Sequence, residues 1–163
     1  MNRIVVSDTT ALTHLAKIND LHILQALYGE ILIPPAVHRE LTQVNPAQPG
    51  AFQVLNTPWI KVVALQDQGR AMQYRETLDP GEAEAIALAV ERNADLLIID
   101  EVAGRATAKK VVRKIIGMAG ILLEAKRAGV ISAVKPHLLA LEQSGFRLGK
   151  EIFHATLGLA GET

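Results

Sequence analysis

Short apolar runs that stop at polar or turn-forming residues alternate along this chain with stretches of helical spacing. Residues 3–7 form a short buried strand ended by Ser7-Asp8-Thr9-Thr10, and Ala11, Leu12, Leu15, Ala16 and Ile18 then recur at the helical period. Leu21, Ile23, Leu24 and Leu27 predict a second short helix. Gly29-Glu30 breaks it before the apolar triplet Ile31-Leu32-Ile33, which Pro34-Pro35 terminates. Pro35 can open a helix containing Val37, Glu40 and Leu41, and residues 45–50, with Pro46 and Pro49, mark a loop.

Residues 60–65 form a third strand. Leu78-Asp79-Pro80-Gly81-Glu82 then announces a helix start, with Asp79 at the N-cap, Pro80 at the first helical position and Glu82 at the capping-box position. Residues 96–99 form a fourth strand ending at Asp100, and 111–117 contain a fifth; 119–128, 133–143 and 149–159 read as helices. Strands separated by helices imply a parallel sheet covered by helices, an α/β fold. With 163 residues, 49% hydrophobic and 21% charged, the chain suits one globular domain that buries roughly 70% of its unfolded surface. No repeat or low-complexity tract interrupts it.

Composition narrows the chemistry. The chain has no cysteine, so thiolate nucleophiles, disulfides and Cys-ligated metals are excluded, and any metal must sit on oxygen or imidazole. Lys and Arg total 17 against 17 Asp and Glu, so only a local basic patch could attract nucleic acid. Aromatics are 4% of residues, too few for an extended base-stacking platform. No apolar run approaches the roughly 18 residues of a membrane-spanning helix, and Met1-Asn2-Arg3 leads directly into the first strand. A soluble cytoplasmic protein without membrane association is expected.

In open parallel sheets, ligands bind beyond the carboxyl ends of the strands, where the strand order reverses. Asp8 and Asp100 fall at two such ends, and if their strands are neighbours the two carboxylates face one crevice. Either could instead be a helix cap or Asx-turn. Glu40 borders the apolar stripe of its helix, where a solvated edge glutamate is the simple alternative. Glu82 precedes Ile86, Ala89 and Val90 at helical spacing, whereas Glu84 lies about 200° away around the helix, so only Glu82 is expected to point inward. Glu82 could serve the capping box or the crevice, but hardly both. Four acids placed together would raise one another's pKa values unless a cation neutralised them, and oxygen ligands favour Mg²⁺ or Mn²⁺.

These segments resemble the PIN-domain family, metal-dependent ribonucleases that include the VapC-type toxins of toxin–antitoxin pairs. The resemblance rests on Val5-Val6-Ser7-Asp8-Thr9-Thr10, Ile33-Pro34-Pro35-Ala36-Val37-His38-Arg39-Glu40-Leu41, Gly81-Glu82-Ala83-Glu84-Ala85-Ile86-Ala87-Leu88-Ala89 and Leu96-Leu97-Ile98-Ile99-Asp100-Glu101, in that order. It covers about residues 3–130, and the whole chain looks like a branch carrying the Gly-Glu-Ala-Glu-Ala-Ile motif and an extra helical tail. It implies a three-layer α/β/α sandwich with a five-stranded parallel sheet in the order 3-2-1-4-5, and so makes strands one and four neighbours. It also implies that Asp8, Glu40, Glu82 and Asp100 form an acidic metal site, with Thr9 in support, and that cleavage leaves 5′-phosphate and 3′-hydroxyl ends. Many relatives have Asp as the third acid; here the position holds Glu82, with Glu84 nearby as the alternative. On this division residues 1–131 form the nuclease domain and 132–163 a helical extension.

Arg105, Lys109, Lys110, Arg113 and Lys114 follow Asp100 closely, and Arg105 and Lys109 share a helical face that either holds RNA phosphates or is simply solvated. The five histidines show no metal-ligand spacing. Thr10 stands where a haloacid-dehalogenase phosphatase needs its second Asp, and Ser7-Asp8 with Gly117-Met118 lacks the acidic pair and lysine of a phospho-receiver. The remaining rival is a non-catalytic module of the same fold that acts through protein or RNA binding. Ile152, Phe153, Thr156, Leu157 and Ala160 form a stripe that covers either the chain's own domain, a second copy in a homodimer, or an antitoxin-like partner.

Overall fold

A computed structural model describes residues 3–43 and 51–163. The loop expected at 45–50 lies outside the described residues. The chain runs β1 (Val5–Ser7), α1 (Thr9–Lys17), α2 (His22–Tyr28), β2 (Ile31–Ile33), α3 (Pro35–Thr42), α4 (Ala51–Asn56) and β3 (Ile60–Val62). It continues through α5 (Gly69–Tyr74), α6 (Pro80–Glu91), β4 (Leu96–Ile98), α7 (Val102–Val111), β5 (Ile115–Ile116), α8 (Met118–Arg127), α9 (Lys135–Gln143) and α10 (Lys150–Leu159). The strands make one parallel sheet in the order β3-β2-β1-β4-β5. Strands one and four are neighbours, with Ser7 opposite Ile98. The six-residue helices α4 and α5 are additions to the pattern read from the sequence.

Because strand side chains alternate between faces, the sheet divides the interior into two apolar layers. Val5, Ile31, Ile33, Leu96 and Ile98 pack against α1, α2 and α8, whereas Val6, Leu97 and Ile99 pack against α6 and α7. The first layer also contains Leu138 and Leu141 of α9 and Leu157 of α10, so the helical tail shares the core of the sheet. Thr156 and Leu157 are buried, and Phe153 and Ala160 pack on the same cluster, so most of the C-terminal stripe covers the chain's own domain; Ile152 and Leu159 stay exposed. Glu162 closes this end. Its carboxylate accepts from the Val134 and Lys135 amides and from Lys126 Nζ, which hold it down at a pKa of about 2. Among the described residues no helix is long and apolar enough to cross a membrane.

Candidate active site

Asp8 leaves the carboxyl end of β1 with its amide donating to Ile98 O at 3.1 Å, which ties it to the neighbouring end of β4. It occupies the N-cap position of α1, yet its side chain caps nothing. The residue is 1% exposed, and Oδ1 has no hydrogen-bond partner. The helix-cap alternative for Asp8 therefore fails. Asp100 follows β4, and its Oδ1 accepts from the Met118 amide at the start of α8 at 2.9 Å, while the buried Oδ2 has no partner.

Glu82 enters from the first turn of α6. Oε1 accepts from the Asp79 amide at 3.4 Å while Asp79 Oδ1 accepts from the Glu82 amide at 2.8 Å, a complete capping box. Its other oxygen, Oε2, is buried without a partner and lies 2.8 Å from where a Cβ on Gly104 of α7 would stand. The expectation that Glu82 could serve only one role is corrected by this division of its two oxygens: one closes the helix start and the other faces the crevice.

Asp8 lies within the fields of the other two carboxylates. Burial holds Asp8 well above the usual carboxylate range, and the charges of Asp100 and Glu82 raise it further. Glu82 is pushed up to about 7 by burial and by Asp79. Burial also raises Asp100, against the opposing pull of the Met118 amide and Arg105. Among the described residues, no group of three or more His, Cys, Asp and Glu side chains is arranged to hold a metal ion.

Glu40 is held at the same helix start as Glu82 and shares Asp79 as a charged neighbour with Asp8 and Glu82. The Thr9 hydroxyl donates to its Oε2 and the Gly81 amide to its Oε1 at 3.0 Å, so it joins the first turns of α1 and α6. Burial raises its pKa, and those two bonds oppose the shift. Of the four acids read from the sequence, Asp8 feels the charges of Glu82 and Asp100, and Glu40 is held by Thr9 and Gly81 at the start of α6 that also carries Glu82.

A family model described as a PIN domain matches residues 4–162. The chain belongs to the PIN-domain family. PIN domains are generally nucleases and typically use divalent metals. A search of the curated proteins finds no match. The donor chemistry of this PIN domain fits such an ion, because three buried carboxylate oxygens lack partners and all are hard oxygen ligands.

Glu84 departs from the expectation that it faces away. It is 4% exposed, more buried than Glu82 at 8%. The reason is that α6 is buried on every side from Gly81 to Ala89, so spacing carries no inside-outside contrast there. Its Oε1 accepts from the Ala36 amide at 3.0 Å and its Oε2 faces Arg39 at 3.8 Å, which commits the side chain to the start of α3.

The basic run also separates. Arg105 is half-buried, donates from Nη1 to Ile99 O at 2.9 Å and acts on Asp100. Lys109 is exposed one turn further along α7, and Arg113 and Lys114 pair with Asp95 and Glu124. Asp79 and Glu101, which also raise the Asp8 pKa, were not singled out as acids of the site by sequence reasoning. Glu101 is adjacent to Asp100 in the chain, the one signal that could have found it.

Proposed function

We propose that this PIN domain is a metal-dependent endoribonuclease that hydrolyses phosphodiester bonds of single-stranded RNA in the cytoplasm. The observation that carries the reading is the set of three partnerless buried oxygens, Asp8 Oδ1, Glu82 Oε2 and Asp100 Oδ2, at two adjacent strand ends and a helix start. Such a concentration of buried negative charge is costly in the absence of a cation. Asp8, Glu40, Glu82 and Asp100 would hold Mg²⁺ or Mn²⁺. When bound, the ion supplies positive charge against the attacked phosphate and lowers the pKa of the attacking water.

The protein's own residues position the rest. Thr9 and the Gly81 amide orient Glu40, and the Asp79 amide fixes Glu82, so neither carboxylate must be ordered when substrate arrives. Arg105, steadied by Ile99 O, places a fixed positive charge beside Asp100 for a substrate phosphate, and Lys109 extends that charge along α7. The proposed nuclease part, 1–131, and the extension, 132–163, share one core, and the role is that of a toxin working as a homodimer or restrained by an antitoxin protein.

The test is cleavage of an end-labelled single-stranded RNA by purified protein. Cleavage with Mn²⁺ or Mg²⁺ and none in excess EDTA is expected. Equal cleavage in EDTA overturns the mechanism, and Mn²⁺ binding without any cleavage indicates the non-catalytic module instead.

A further inference from the structure

Beside Asp100 lies a groove of about 630 Å³ with three walls: the start of α7, the β5–α8 turn and the segment joining α9 to α10. The third wall belongs to the helical tail and contributes Phe146, Arg147, Leu148 and Ile152. Two arginines line the groove from different walls. Arg105 comes from α7, and Arg147 comes from the tail, exposed and without an ion-pair partner among the described residues. The apolar lining includes Val102 at 84% exposure and Ile152 at 56%, an unusual display for large aliphatic side chains. Phe146 is held in place by an edge contact to His14, with ring centroids 5.0 Å apart.

We infer that this groove is a nucleotide subsite, in which Arg147 and Arg105 hold backbone phosphate and the Phe146–Ile152 wall receives the neighbouring unpaired base. The inference rests on the nuclease reading above, because Asp100 lines both the groove and the carboxylate cluster. Volume and lining agree, and the two arginines share the groove with the acids Asp100 and Glu101. The groove falls in the range of small-ligand sites, guanidinium groups match phosphate geometry, and an unpaired base offers the flat apolar face that side chains such as Phe146, Leu148 and Ile152 can cover. The amino end of α10, at Gly149, lines the same space without a side-chain cap and adds backbone donors, whereas the first amide of α8, Met118, is taken by Asp100. A second copy of the chain would need a continuous apolar face, which the two arginines interrupt.

The test measures binding, so that it is independent of catalysis. Fluorescence anisotropy of a labelled single-stranded hexanucleotide RNA in EDTA compares the full-length protein with Arg147→Glu, Arg147→Gln and Ile152→Asp. Arg127→Glu, on the exposed last turn of α8 and away from the groove, is the control. Arg147→Glu should weaken binding about tenfold and flatten the salt dependence by about 0.7, the value for one lost contact to a single strand. Ile152→Asp should weaken binding by removing the apolar wall and placing a charge beside the phosphate, and Arg127→Glu should leave binding unchanged. Equal binding by wild type and both Arg147 variants, including no binding by any, overturns the subsite whether or not the protein cleaves RNA. A concentration-dependent dimer abolished by Ile152→Asp with RNA binding unchanged also overturns it, since the groove would then seat a second copy. Failure of wild type to cleave with Mn²⁺ while these binding differences persist would instead reject the nuclease reading alone.

Discussion

The amide of Gly81 donates to Glu40 Oε1 at 3.0 Å, and a Cβ on Gly81 would stand only 2.6 Å from that same oxygen. The helix start of α6 therefore holds the Glu40 carboxylate through a position where only glycine leaves room. The obstructing atoms are the end of a flexible side chain, so Gly81→Ala should move Glu40 rather than break the fold. Alanine is also the better helix former, by about 1 kcal/mol. We expect thermal stability to change by no more than about 1 kcal/mol while Mn²⁺-dependent cleavage falls about 10- to 100-fold, the usual effect of misplacing a supporting group. Parallel melting and rate measurements check both halves of this expectation.

Glu82 and Glu84 should separate by property rather than by degree. Glutamine can still close the capping box and carries no charge into the cluster, so Glu82→Gln should raise the melting temperature in EDTA above neutral pH and lose both Mn²⁺-induced stabilisation and cleavage. Glu84→Ala removes the partner of the Ala36 amide, which should cost about 1–3 kcal/mol of stability with the cleavage rate per folded molecule retained. Equal loss of metal response in the two variants would contradict the division of labour on α6.

Asp8→Asn and Asp100→Asn should each lower cleavage by about 100-fold or more, because an amide is a far weaker ligand for Mg²⁺ than a carboxylate. Circular dichroism should show the fold intact. Asp8→Asn should also raise the melting temperature in EDTA, since it removes a charge held among Asp100 and Glu82.

The pH dependence of stability without metal follows from Glu82, whose pKa rises from 4.5 in its ordinary state to about 7 in the folded protein. The native state then binds its proton more tightly than the unfolded chain does. That contribution is complete below pH 4.5 and is lost as the pH rises towards 7, with Asp8 and Asp100 acting in the same sense. Glu162, lowered to about 2, acts oppositely and only below its ordinary value of 4.5. Denaturant unfolding in EDTA should show stability falling from about pH 4.5 to 7, and saturating Mn²⁺ should reverse that slope.

Removal of residues 132–163 should yield an unfolded or insoluble product. Leu138, Leu141 and Leu157 are buried in the core of the sheet, each worth about 1.5–3 kcal/mol, against a net stability of about 5–15 kcal/mol for a typical domain. A cooperative melting transition in the 1–131 fragment would show that the tail is dispensable.

Much of this fold is legible in the chain because each parallel strand is a brief apolar run bounded by a polar turn, as at Ile31–Ile33 before Pro34. The placement of Asp8 and Asp100 at the ends of neighbouring strands was legible for the same reason, because each follows a short apolar run. The orientation of Glu84 was not, because a helix wrapped by neighbours on all sides has no polar face to calibrate its periodicity. Helices α4 and α5, six residues each, are too short to develop a repeating pattern. Arg147 was invisible for another reason: its relation to Asp100 is made by the tail folding back across the β5–α8 turn, and nothing local records that return.

The divided carboxylate of Glu82 ties the local opening of α6 to the state of the crevice. One oxygen holds the Asp79 amide and the other waits among like charges, so any force that draws the second inward strains or tightens the bond made by the first. The earliest amides of α6 thereby become an internal reporter of occupancy, with solvent-exchange rates that rise or fall as a cation leaves or arrives while the buried centre of the helix, around Ile86 and Leu88, stays protected.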